Sequence, residues 1–186
     1  MALTGTKITI GGLAGTGKGT VGKLLADHLG YDLCSAGKCF RDIAVAEGIP
    51  LSRLEELANG DSQYDIKVDG ITKAYGASCN HFIFEGRIAW LLIPDSVKVL
   101  LICNKDERIR RVADRDKTSF DEAWYATEHR EALAQKRYHN LYGIEDIGDI
   151  SLYNFIVNTK DIDAETAMAA IVGHLYSHGL YVLRNN

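Results

Sequence analysis

Ile8-Thr9-Ile10-Gly11-Gly12-Leu13-Ala14-Gly15-Thr16-Gly17-Lys18-Gly19-Thr20 decides how the rest of this chain is read. An apolar stretch runs into a cluster of glycines, and an amphipathic stretch follows, so the segment reads as strand, tight loop and helix start. Gly12, Gly17 and Lys18 fit the phosphate-binding pattern G-x-x-x-x-G-K-[ST]. Gly19 departs from it, standing where Ser or Thr is usual, with Thr20 one place later. The physical logic survives the departure. Small residues let successive backbone N–H groups turn toward one anion, and a helix starting near Lys18 adds the positive end of its dipole. Lys18 can reach terminal phosphates, and the Thr20 hydroxyl can enter the shell of a Mg2+ ion.

Outward from this loop, strand-like and helix-like stretches alternate, which predicts a parallel sheet covered by helices on both faces. Strands are expected over 7–10, 31–34, 81–84, 97–103 and 152–157, and helices over 18–29, 105–116, 119–141 and 163–177. The region 36–79 reads as a helical insert of three segments. The second of these is expected to open on a capping box, Ser52 with Glu55, and to stop at Gly60. Ser119 with Glu122 forms a second capping-box pattern, and Gly30 and Gly143 are expected helix stops. Residues 180–183 could add a short edge strand. In an open parallel sheet, ligands bind beyond the carboxyl ends of the strands. The loop, Ser35, Glu85-Gly86-Arg87 and Asn104 stand at such ends and should converge on one cleft.

Several side chains there suit phosphoryl chemistry, which needs positioning and charge neutralisation more than covalent work. Glu85 can hold Mg2+ opposite the loop, and Arg87 can fork onto a phosphate. Arg41 can do the same from the insert. Arg108, Arg111 and Arg115 share a helical stripe, although a solvated charged face accounts for Arg108 and Arg110. Arg130 and Arg137 lie seven residues apart on the long helix and can close over a transferring group. The six histidines show no metal-ligand spacing, and no Ser-His-Asp arrangement stands out.

The loop sequence Gly17 to Thr20 resembles that of adenylate kinases, which likewise place Gly before Thr. The remainder is similar to cytidylate kinases of the archaeal type and the cytidylate kinase-like family. The resemblance rests on Ser35-Ala36-Gly37 with Phe40-Arg41, Phe84 to Arg87, Arg111 and Arg115, Arg130, Lys136-Arg137-Tyr138, Tyr142-Gly143-Ile144, Leu152-Tyr153 and Ile156 to Thr159. It implies one P-loop domain over 1–186, a three-layer α/β/α fold with a five-stranded parallel sheet. Its core would be 1–35, 80–115 and 149–186, with a monophosphate-binding insert at 36–79 and a short lid at 116–148. It further implies that Gly12, Gly15, Thr16, Gly17, Lys18, Gly19 and Thr20 bind ATP, and that Ser35, Arg41, Asp65 and Arg87 face the monophosphate. Lys18, Arg87, Arg111, Arg115, Arg130 and Arg137 would be catalytic, and Thr20 with Glu85 would place Mg2+. The implied reaction moves the ATP γ-phosphate to CMP or dCMP. Alternatives are another acceptor (AMP, UMP or a non-nucleotide alcohol) or a nucleotide-binding protein without transfer activity. Leu13-Ala14 replaces a proline-containing loop usual in the family, and Ile88-Ala89-Trp90 is one glycine short of its usual sequence.

The chain has 186 residues, 46% apolar and 25% charged, which fits one globular domain. A net charge of −4 argues against a dedicated nucleic-acid binder, so any anion must be held by a local basic site. Cys34, Cys39, Cys79 and Cys103 form no C-x-x-C pair and read as reduced thiols. Nothing resembles a signal peptide or a membrane span, so the expectation is a cytoplasmic protein, monomeric, whose partners are small-molecule nucleotides.

Overall fold

The computed structural model describes residues 6–180. Its strands are β1 (Lys7–Gly11), β2 (Asp32–Ser35), β3 (Phe82–Glu85), β4 (Val97–Ile102) and β5 (Phe155–Asn158). They form one sheet in the order β2-β3-β1-β4-β5, every pairing parallel. The helices among the described residues are α1 (Lys18–Leu29), α2 (Ala36–Ala46), α3 (Leu51–Gly60), α4 (Gln63–Ser78), α5 (Ala89–Leu92), α6 (Lys105–Asp116), α7 (Phe120–Tyr142) and α8 (Ala164–Ser177). This is the three-layer α/β/α architecture with a five-stranded parallel sheet, and no helix among the described residues is long and apolar enough to cross a membrane.

β1 lies at the centre because both its neighbours bury it: Ile8 and Ile10 are fully inaccessible. α1 and α8 cover one sheet face, packing Val21, Leu25, Ile171 and Leu175 against Ile8, Ile10, Val99 and Leu101. Phe82 and Phe84 fill the other face with Ala89, Ile93 and Tyr75. The register pairs Ile10 with Glu85, Ser35 with Glu85 and Gly11 with Leu100, so the carboxyl ends of the inner strands are level. The chain turns to opposite sides of β1 at this edge, which is where such sheets bind ligands. Helices α2, α3 and α4 form an insert between β2 and β3 with a small core of its own: Cys39, Ile43, Ala44, Leu54 and Val68.

Some local expectations change. α3 starts at Leu51 directly after Pro50, whose φ of −60° suits a helix entry, so Ser52 is already helical and caps nothing. Glu55 is thereby free to pair elsewhere. α3 includes Gly60 and is followed by extended Asp61, not by a glycine stop. Ser119 and Glu122 do form a complete capping box, and Gly30 and Gly143 end α1 and α7 in the left-handed conformation. β5 starts later than the sequence suggests. Ile150–Leu152 is a 3-10 turn, and the Asn154 side chain and backbone bracket Lys98, accepting from its N–H at 2.9 Å and donating to its carbonyl at 2.8 Å. The possible strand over 180–183 lies outside the described residues beyond Leu180.

Candidate active site

The glycine loop leaves β1 beneath Leu101 and α6. Gly12 has φ +137° and Gly15 φ +78°, both regions that disfavour side chains. A Cβ on Gly12 would meet the Leu101 carbonyl oxygen at 2.5 Å, and one on Gly15 would strike the Arg108 carbonyl. Thr16 is buried; its hydroxyl donates to the Leu13 carbonyl at 2.9 Å, and its own carbonyl accepts from the Thr159 hydroxyl at 3.0 Å. Lys18 folds over the loop and donates to the same Leu13 carbonyl at 2.8 Å. Burial, reinforced by the charge of Arg87, lowers the Lys18 pKa to about 8; Glu85 and Glu131 pull the other way. The lysine is thus hemmed in and ready to exchange a carbonyl for a more anionic partner.

Glu85 stands beside the start of α1: a Cβ on Gly19 would lie 3.6 Å from its carboxylate. Thr20 follows Gly19 and is exposed. One hydroxyl and one carboxylate suit Mg2+, which keeps several waters and takes substrate phosphates as ligands. Among the described residues no cluster of three or more His, Cys, Asp or Glu side chains offers a fuller metal cage.

Arg108 is not on a solvated face, as its sequence context suggests, but 4% exposed. Its guanidinium forks onto Glu131 of α7 at 2.8 and 3.3 Å and also donates to the Ala14 carbonyl at 2.9 Å. Glu131 in turn accepts from the Ala14 N–H at 3.2 Å. Ile109, Val112 and Ala113 bury the adjoining face of α6 against Ala123, which draws Arg108 inward with them.

A second polar group links α4 to α7. Asp65 of α4 is 2% exposed and pairs with Arg137 of α7 at 3.1 Å. Burial pushes the Asp65 carboxyl above the usual carboxylate range, and Arg137 opposes this. One turn on, buried Asp69 accepts a hydrogen bond from the Tyr142 hydroxyl. Tyr138 follows Arg137 and stands one turn before Tyr142 on α7; burial raises its pKa, and the charge of Arg87 counters the rise. Arg87 thus bears, through its charge, on both Lys18 and Tyr138. It is half-buried, and among the described residues it makes no ion pair.

The remaining expected residues spread further out. Arg111 donates to the Thr159 carbonyl at 2.7 Å and to its hydroxyl at 3.2 Å, which places it one hydrogen bond from the loop at Thr16. Arg115 forks onto its neighbour Asp116 at the surface, so it does not join Arg108 and Arg111 in one stripe toward the loop. Arg130 bridges α7 to Glu55 of α3 at 3.2 Å. Ser35 is buried as the N-cap of α2, accepting from the Lys38 N–H at 3.0 Å. Arg41 is exposed, its guanidinium folded back to 3.5 Å from where a Gly37 Cβ would be. Sequence reasoning missed Glu131, Asp69 and Tyr142 and set Arg108 aside. A signal existed: Glu131 continues the buried spacing of Ala123, Thr127 and Ala134 along α7, and Asp65 and Asp69 lie on the buried stripe of α4. A carboxylate on such a stripe needs a partner.

Comparison with known proteins gives the family. The cytidylate kinase-like family model matches residues 7–161. The chain is 35% identical over 156 residues to a cytidylate kinase of Methanococcoides burtonii, covering 84% of this chain and 89% of that one. It is 36% identical over 173 residues to a cytidylate kinase of Pyrococcus abyssi, covering 91% and 94%. Among solved structures, an uncharacterised protein from Eubacterium ventriosum superposes with a TM-score of 0.69 at 23% identity, covering 92% of this chain and 99% of that one. A shikimate kinase from Acinetobacter baumannii does so with 0.66 at 16% identity, covering 96% and 97%. At these identities the structural matches speak for the fold alone.

Proposed function

Because the chain belongs to the cytidylate kinase-like family, we propose that it moves the γ-phosphate of ATP to CMP or dCMP, releasing ADP with CDP or dCDP. The observation that carries this reading is a glycine loop with Lys18 folded over it and the Glu85 carboxylate beside Gly19, in a chain that also sets the Asp65–Arg137 pair between the insert and α7. A transferring phosphoryl group must pass between two such sites while its negative charge stays compensated.

The loop amides from Gly15 to Thr20 would hold the donor phosphates, and Lys18 would leave the Leu13 carbonyl for the terminal ones. An oxygen of the acceptor monophosphate forms the new bond to the γ-phosphorus as the bond to the β–γ bridging oxygen breaks. That oxygen is already ionised near pH 7, so the step requires no general base. Arg87 compensates the charge in transit, joined by Arg137 once an incoming phosphate competes with Asp65. Mg2+ held by Thr20 and Glu85 would supply further neutralisation of the donor phosphates. Movement of the insert and α7 would exclude water, the competing acceptor.

ADP release measured with CMP, dCMP, UMP and AMP, with and without Mg2+, tests the assignment. Metal-dependent turnover of CMP or dCMP is expected. Turnover of AMP with none of CMP overturns the acceptor, and ATP binding with no transfer to any of the four overturns the enzyme.

A further inference from the structure

Glu131 is an anion placed against an anion-binding loop. Its carboxylate accepts from the Ala14 N–H, while the Arg108 it neutralises donates to the Ala14 carbonyl. One ion pair therefore holds both polar groups of a single loop residue. The pair is nearly dry, with side chains 5% and 14% exposed, so it is weakly screened and geometrically strict. The next residue, Gly15, is pressed on the Arg108 carbonyl so closely that no side chain fits. The orientation of Ala14 thus passes directly to the amides that follow it.

The same helix grips the insert. Arg130, adjacent to Glu131 and about 100° around the helix, pairs with Glu55. Further along, Arg137 pairs with Asp65, and Tyr142 bonds to Asp69. α7 therefore holds the phosphate loop at one residue and the acceptor side at three.

We propose that Glu131 and Arg108 are a positioning pair through which α7 sets the phosphate loop, so that the donor cradle is aligned by the helix that also contacts the acceptor side. This rests on the phosphotransferase reading above. Neither residue touches the reacting atoms. Their effect passes through the Ala14 peptide.

The test is affinity for the β,γ-imido analogue of ATP, measured by calorimetry on the full chain, together with the KM for CMP and the amide NMR signals of Ala14 and Gly15. Glu131→Ala is expected to weaken analogue binding about tenfold or more, the loss of hydrogen bonds to a charged group. The KM for CMP should stay within about twofold, and the two amide signals should move. Glu131→Gln keeps one acceptor for Ala14 and Arg108 Nη1 but sets an amide NH2 against Arg108 Nη2, so it should restore only part of the affinity. Should the alanine variant fail to fold, Glu131→Asp, which keeps the charge but is one methylene shorter, is expected to show the same selective loss. Unchanged analogue affinity, or equal weakening toward both substrates, overturns the proposal. A wild-type protein that does not bind the analogue overturns the phosphotransferase reading and this inference with it. A wild type that binds, with a variant that binds equally well, overturns the inference alone.

Discussion

Lys18 shows what one residue concedes to its task. Its folded pKa of about 8 lies below the 10.5 of an unhindered lysine, because burial and Arg87 disfavour the charge. The sign follows from linkage. Between these two values the unfolded chain binds the proton and the fold does not, so this residue's contribution to stability rises with pH there. Below pH 8 the fold carries the cost of a charged lysine. Lys18→Met is therefore expected to stabilise the nucleotide-free protein at pH 7 while lowering kcat by about 10²–10³-fold, read by thermal melts and ADP release. ATP binding needs the charged form, so it should take up a proton at pH 8–9, seen as a buffer-dependent calorimetric heat. Gly15→Ala should abolish ATP binding and lower Tm, since it combines φ +78° with a clash on the Arg108 carbonyl. Lys18, Glu85 and Arg87 are legible in the sequence because a motif and one strand end fix their place. Arg108 and Glu131 are not, because charge patterning along one helix does not reveal a partner 23 residues away on another.

Elements were legible where a single local rule decides them. The Ser119–Glu122 box forms because Ser119 is extended and the helix begins after it; the Ser52–Glu55 box does not, because Pro50 starts α3 sooner. α5 has four residues, too few for a periodic signal. The long helix α7 was visible, but its role as a clasp was not, since Glu55, Asp65 and Asp69 belong to helices whose docking no local pattern records. Tyr142→Phe tests the clasp. It leaves the Asp69 carboxylate, 7% exposed, without its donor and is expected to lower stability by about 1–3 kcal/mol in urea titration.

At the scale of the molecule, alternating strands and helices gave the sheet, because apolar β1 and β4 could only be central. The insert is built differently, with a small core separate from that under the sheet. It is expected to open as a unit before the sheet does, so amides of α3 and α4 should exchange with deuterium well ahead of those of β1 and β4, and a bound donor–acceptor pair should slow them. The clasps between α7 and its surroundings carry one more consequence. Arg130 and Arg137 already hold carboxylates of the protein itself. A stray sulfate or orthophosphate must displace an internal tenant with only its own charge to offer, whereas a nucleotide brings a base and a sugar besides. At these two arginines the resting enzyme is preoccupied: a simple salt gains little by the exchange, and a whole substrate gains more.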